Sequence, residues 1–386
     1  SMTCDMDNTD KVIRYVEDCQ RLGIKILPPD INRSELTFDV PGARQIGFAL
    51  AAIKGIGEHA IAPMLAEREA KGAFRSITDL AHRVDLGRLG KKVLSLLLES
   101  GALDCFGGNR KKLIELVPDI VAYSASHHQA KSQGQVDLFA MADIEQTPIV
   151  SDLPWDKVLA DLTLPIWTLT DLFNEKKSLG VFLSGHPMDF YRADVKSFAT
   201  TGLRNMGKLL EGLEKDRFGR ISRKVDLCVI FTGIQYRRSK KSGSLMAYVK
   251  LEEQGASTEA MMFEKQLKSF TLPDVDTAVL VQGVVEKQGE DSPVRVTIDR
   301  LLSLQEVRQT RIKGLNICMK ESAAPKIRGL QRLIEDHAGP TPLSMVLEFE
   351  HLSLKVDLPD TRVELSDQFI LQTRELLGNA AEILYM

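Results

Sequence analysis

The chain has 386 residues, 44% of them apolar and 27% charged, with a formal net charge of −3. That length exceeds one ordinary hydrophobic core and points to about two to four domains. The composition is that of a soluble globular protein, and the slight acidity excludes a uniformly basic surface, so contacts with nucleic acid have to come from local patches.

No apolar run approaches the ~18–20 residues that cross a bilayer, and the N-terminal stretch lacks the order of a signal peptide. No membrane partner is expected, and the protein is expected in the cytoplasm. Cys4, Cys19, Cys105, Cys228 and Cys318 are odd in number and never spaced as CxxC. They support neither a disulfide framework nor a thiolate zinc site. The opening Ser1-Met2 reads as a tag-cleavage scar on a piece of something longer.

The spacing of Val12, Ile13, Val16 and Cys19 predicts a helix over 8–22, capped by Asn8 or Thr9 and ended by Gly23. Ile24 to Leu27 is strand-like and stops at Pro28-Pro29; residues 30–44 read as irregular with a possible hairpin. From Ile46 the pattern turns helical. A short apolar helix to Ile53, the turn Gly55-Ile56-Gly57 and a helix from Glu58 to about Ala70 describe a helix-hairpin-helix. Glycines let such a turn approach a phosphate, the next helix directs backbone N–H groups at it, and Lys54 adds charge. A second unit follows: a helix from about Leu89 to Glu99, a turn at Ser100-Gly101-Ala102-Leu103, and a helix from Asn109 that carries Arg110 and Lys111. Between residues 41 and 112 twelve Lys or Arg face seven Asp or Glu, a local positive surplus in an acidic chain. The competing reading is two tight helical corners without a ligand.

Residues 118–150 form a polar segment. His127-His128 lacks a second ligand pair and reads as a solvated helix end or linker. Within the segment stands Gln135-Val136-Asp137-Leu138-Phe139, whose apolar pair has no local core to cover it. Either another face of the chain covers Leu138 and Phe139, or a partner's pocket takes them while Gln135 and Asp137 fix an extended backbone. Residues 151–192 return to helix with Leu159, Leu162, Leu169, Leu172 and Phe173, then reach Leu179 through Pro187. There Gly180 permits close packing and His186 reads as a hydrogen-bonded turn residue, with no nucleophile motif beside it.

From Lys224 the period becomes two. Strands at Val225–Phe231, Leu245–Leu251, Glu259–Phe263, Ala278–Val285 and Val294–Leu302, with a helix at Glu264–Phe270, follow the order of an oligonucleotide-binding barrel, the OB-fold. Tyr236, Arg237, Arg238, Lys240 and Lys241 fall in its first hairpin loop. There they can hold a single strand by charge and stacking, or simply keep a solvated edge unpaired. The remainder predicts a strand at Leu315–Met319, a helix from Ala324 to His337, a Pro-rich turn, strands at Leu343–Phe349 and Leu352–Val356, and a helix from Ser366 to Leu376. The fold class expected is therefore multidomain α and β: a helical helix-hairpin-helix region, a five-stranded OB-fold barrel, and a small α+β C-terminal module.

Taken in order, Asp5-Met6-Asp7-Asn8-Thr9, Gly23 through Asn32, Ala52 through Gly57, Ser100 through Asp104, the pentapeptide and Leu179 through Pro187 resemble the C-terminal half of the alpha subunit of bacterial DNA polymerase III. The resemblance implies the end of the fingers domain over 1–40 and tandem hairpins on duplex DNA over 41–117. It implies a linker over 118–150 whose pentapeptide docks on the sliding clamp, and a helical connector over 151–222. An OB-fold near single-stranded template then covers 223–308, and a module over 309–386 binds the tau subunit of the clamp loader.

The family's polymerase carboxylates and their two magnesium ions belong to the palm domain in the missing N-terminal half of the polypeptide. No catalytic residue, metal site or cofactor is thus expected in this chain, and Asp5 and Asp7 read as capping and solvated charge. A stand-alone clamp and single-strand adaptor, or a fragment of another nucleic-acid enzyme, are the alternatives. A DNA ligase of the NAD-dependent type places its OB-fold before the hairpins and a four-cysteine zinc site between them; this chain has the reverse order and no such set.

Overall fold

The computed structural model describes residues 2–132, 153–160, 167–239, 243–288 and 292–386. They fall into two compact units, Ser1–Gly185 and His186–Met386.

The first unit begins with α1 (Thr9–Arg21), whose cap is Asn8: its side chain accepts the Lys11 N–H, and Val12 and Val16 are buried. Asp5 is no cap; its carboxylate takes the Lys11 ammonium and the Tyr15 hydroxyl. Strands β1 (Lys25–Leu27), β2 (Asp39–Gly42) and β3 (Gln45–Gly47) form a sheet in the order β1-β3-β2, with β1 parallel to β3. This corrects the short helix expected over Ile46–Ile53. Ile46 pairs with Ile26 on a neighbouring strand, and only Leu50–Ala52 makes a single 3-10 turn. A short, continuously apolar run carries no period to separate strand from helix, and here Phe48, Ala49, Leu50 and Ile53 are all buried.

Helices α2 (Glu58–Lys71), α3 (Ile77–Arg83), α4 (Leu86–Leu89), α5 (Lys91–Glu99), α6 (Arg110–Glu115), α7 (Val117–Ser132), α8 (Pro154–Ala160) and α9 (Leu169–Leu179) follow. One core gathers Val12 and Val16 of α1, Ile61 and Met64 of α2, Leu94 and Leu97 of α5, and Ile120 of α7. It therefore joins stretches that the resemblance divides into a fingers end, hairpins and linker. The polar segment expected from residue 118 starts as buried helix: Ser124 is fully enclosed, its hydroxyl bonding the Ala81 carbonyl at 2.8 Å and taking the Leu86 N–H at 3.0 Å. His127 stacks on His82 with ring centroids 4.2 Å apart. Trp155 is buried and its indole N–H reaches Thr78 Oγ1 at 3.0 Å, fixing α8 to the unit. Leu162 lies outside the described residues.

In the second unit α10 (Arg192–Phe198) and a 3-10 stretch at Leu203–Leu210 precede the barrel. Strands β4 (Arg220–Arg238), β5 (Leu245–Glu253), β6 (Ala256–Phe263), β7 (Thr277–Gln288) and β8 (Arg295–Ser303) close in the order β4-β5-β6-β8-β7, with α11 (Glu264–Leu267) between β6 and β7. That is the OB-fold order. Alternate residues Val225, Leu227, Val229 and Phe231 point inward and meet Val249, Leu251, Val279 and Val281. Leu203, Met206 and Leu210, expected in a separate connector, close the same core.

After α12 (Leu304–Arg311), strands β9 (Leu315–Lys320), β10 (Ala338–Glu348), β11 (Ser353–Val363) and β12 (Ala381–Tyr385) form a sheet ordered β11-β10-β9-β12, with α13 (Ile327–Asp336) and α14 (Asp367–Leu377). One expectation changes here. The Pro-rich stretch is the start of β10, accommodated by shifts of register at Ala338/Thr341 and Pro342/Ser344. The chain's last residues add β12, antiparallel to β9. Arg308 is fully buried and binds Asp194 at 2.8 Å, Asp367 and the Leu365 carbonyl, while Tyr385 donates to Asp194 at 3.0 Å. One guanidinium thereby links α10, α12 and α14. Among the described residues no helix is long and apolar enough to cross a membrane.

Candidate nucleic-acid interface

The turn Gly55-Ile56-Gly57 is anchored from below and open above. Ile53 and Ile56 are buried, whereas Lys54, Gly55 and Gly57 are exposed. Gly55 has a φ of 88°, a left-handed conformation that favours glycine, and a Cβ there would sit 3.2 Å from Leu96 Cδ1, close enough that the leucine would have to give slightly. The Lys54 N–H is held by the Ser178 carbonyl at 2.9 Å, which leaves its side chain as the variable part. Gly57 is the N-cap of α2 and offers no side-chain acceptor to the helix's first amides; nothing lies within 4 Å of where its Cβ would be. Such an N-terminus carries partial positive charge and can accept an anion. Glu58, in the first turn, opposes that field in part.

The second turn corrects the assignment of Arg110 to a phosphate. Arg110 is 1% exposed. Its guanidinium binds Asp104 with two bonds of 2.8 and 2.5 Å, Glu175 at 2.9 Å and Ser184 Oγ at 2.7 Å. Glu175, fully buried, also accepts the N–H groups of Leu183 (2.6 Å) and Ser184 (2.8 Å). Burial by itself would loosen the guanidinium's proton, but Asp104 and Glu175 outweigh it and hold that proton more tightly than usual. Burial also lifts the Asp104 carboxyl above its ordinary value, with the Arg110 hydrogen bonds opposing.

Gly101 belongs to this packing as well. Its φ is 81°, and a Cβ would meet an Arg110 guanidinium nitrogen at 2.3 Å. Lys111, next along α6, is exposed and remains available to a ligand. No local signal marks Glu175 as the partner of Arg110, because the two stand 65 residues apart.

On the barrel, Tyr236, Arg237 and Arg238 lie on β4 rather than in a loop, paired with Ala247, Met246 and Leu245 of β5. Neighbouring strand residues point to opposite faces, so Tyr236 and Arg238 share one face and Arg237 takes the other. Tyr236 is 56% exposed. The Arg237 guanidinium lies 5.1 Å from the ring centroid of Tyr248, an aromatic residue that the sequence pattern leaves within an ordinary strand alternation. The signal for it is present: Tyr248 alternates with buried Ala247 and Val249 and so faces outward. Lys240 and Lys241 lie outside the described residues, as do Gln135, Asp137, Leu138 and Phe139.

The family model of the helix-hairpin-helix motif matches residues 23–113, a span that includes both glycine turns. Curated relatives named DNA polymerase III subunit alpha align along nearly the whole chain. That of Vibrio cholerae is 27% identical over 98% of this chain, that of Escherichia coli strain K12 28% identical over 98%, and that of Pseudomonas aeruginosa 28% identical over 95%.

The chain is homologous to the DNA polymerase III alpha subunit.

It spans about a third of the length of these relatives, 32% of each. Among solved structures, the SSB domain of a Synechococcus protein aligns with 21% of this chain and 92% of its own at 14% identity, with a TM-score of 0.16. Within the alpha-subunit homology, the helix-hairpin-helix match covers elements β1 to α6, so the motif contains one turn open to solvent and one sealed by an internal ion pair.

Proposed function

We propose that this chain is a non-catalytic, tethering part of a replicative DNA polymerase alpha subunit. Duplex DNA lies against Lys54, Gly55 and Gly57 of the turn that buried Ile56 anchors, with Lys111 on the neighbouring hairpin. Single-stranded template lies at the end of β4 that carries Tyr236, Arg237 and Arg238, with Lys240 and Lys241 next in the chain. Gln135, Asp137, Leu138 and Phe139 enter a pocket on the sliding clamp, and the C-terminal α+β module receives the tau subunit of the clamp loader. Nucleotide addition is left to carboxylates and magnesium elsewhere in the polypeptide. The observation that carries this reading is the alignment of 98% of the chain with alpha subunits from several bacteria. The open glycine turn at the start of α2 supports the duplex assignment.

A peptide tether between two DNA contacts adds avidity, since each attachment raises the effective concentration of the next. The test is capture of the chain by purified sliding clamp. Leu138→Ala with Phe139→Ala is expected to abolish capture and leave thermal unfolding unchanged; an unaltered affinity refutes the clamp assignment.

A further inference from the structure

Before β4 the chain makes a turn at Asp216–Arg220 that the functions above do not use. Its tip is Phe218, 62% exposed. A large apolar ring held in water is costly unless something stacks on it. The ring is not loose. The Asp216 carboxylate accepts the N–H groups of Phe218 at 2.8 Å and Arg220 at 2.9 Å, the Asp216 N–H goes to the Arg220 carbonyl at 2.8 Å, and Gly219 N–H returns to the Asp216 carbonyl at 2.9 Å. These bonds, that from the Arg220 N–H foremost, keep the Asp216 carboxyl below its ordinary value.

Two guanidiniums frame the ring, Arg217 at 4.8 Å and Arg220 at 5.3 Å from its centroid. Further basic groups lie along the same end of the barrel. Arg220, Lys287 and Arg295 line one small cavity, where Glu286 stands opposite Arg295 in the strand register.

We infer that Phe218, framed by Arg217 and Arg220, is a second stacking station for single-stranded nucleic acid, at the opposite end of β4 from Tyr236. The inference rests on the reading that the barrel holds single strands. The chemistry selects the ligand: a flat base needs an exposed ring, and its flanking phosphates need cations that are not already spent on acids. The Arg220 guanidinium is paired with Asp216 through Nε and, like that of Arg217, lies over the ring, so an incoming base takes the place of one of them.

The test is equilibrium anisotropy of the whole chain with labelled oligo-dT and with an abasic oligomer of the same length and charge. Phe218→Ala is expected to weaken oligo-dT binding about tenfold and abasic binding little, with unfolding unchanged. Phe218→Trp is expected to restore affinity and to show indole emission that unlabelled oligo-dT quenches. Tyr236→Ala is measured beside them. Wild-type chain that does not bind oligo-dT overturns both this inference and the single-strand reading of the barrel. Loss with Tyr236→Ala but none with Phe218→Ala overturns the second station alone. Equal loss on the abasic oligomer, or displacement of oligo-dT by polyglutamate of matched charge as readily as by oligo-dT, assigns the site to charge attraction and overturns stacking.

Discussion

At residues 55–57 and again at 100–110 the chain sets a glycine of positive φ near the start of a helix with basic side chains beside it, yet the two turns end in different environments. The first presents Lys54 and an uncapped helix start to solvent. The second encloses Arg110 between Asp104, Glu175 and Ser184, and α6 is capped by Asn109, whose side chain accepts the Lys112 N–H. What separates them is the supply of carboxylates. A guanidinium that meets two acids in a dry site stays there, because removing either partner leaves a charge without solvent. Among the described residues no carboxylate pairs with Lys54, and a flexible ammonium on an exposed turn is free to follow a phosphate. One motif thus supplies both a surface and the brace behind it.

The comparison can be broken most forcefully at the brace. Arg110→Ala is expected to cost about 3–5 kcal/mol of stability in denaturant unfolding, since fully buried Glu175 and half-buried Asp104 lose their cation; a loss below about 1 kcal/mol removes the structural role. Gly101→Ala is expected to cost about 2 kcal/mol or more, from the φ of 81° and the approach of the new Cβ to Arg110. Gly57→Ala, at a φ of −88° with open space around it, is expected to cost less than about 1 kcal/mol. Equal costs at the two glycines would abolish the distinction between sealed and open turns. The smallest change in stability is expected for Lys54→Glu with Lys111→Glu, within roughly 0.5 kcal/mol. Duplex DNA affinity should fall nonetheless, and the slope of log K against log salt should shrink by about one for each phosphate contact removed. An unchanged slope takes the open turn out of contact with DNA.

The same contrast appears on the barrel in milder form. A row of basic residues next to an aromatic one suggested a single loop site; on a paired strand the row divides between two faces, and Arg237 finds its aromatic neighbour across β5 in Tyr248. Local composition names the kind of contact. Strand pairing decides which residues can make it together.

Several features were written in the sequence because they depend on neighbours a few residues away. Asn8, Ser366 and Asn109 each stand one residue before a helix and cap it. The period of two from Val225 onward, with α11 placed between the third and fourth strands, carried the barrel order, since alternation against one core leaves few registers open. Other features had no local trace. Whether Ile46 joins a helix or a strand was settled by Ile26 beside it, and whether Arg110 faces DNA or the interior was settled by Glu175 in a different helix. A basic side chain carries the same charge in either place. The acids that fold against it determine whether that charge is spent inside the protein or left for a ligand.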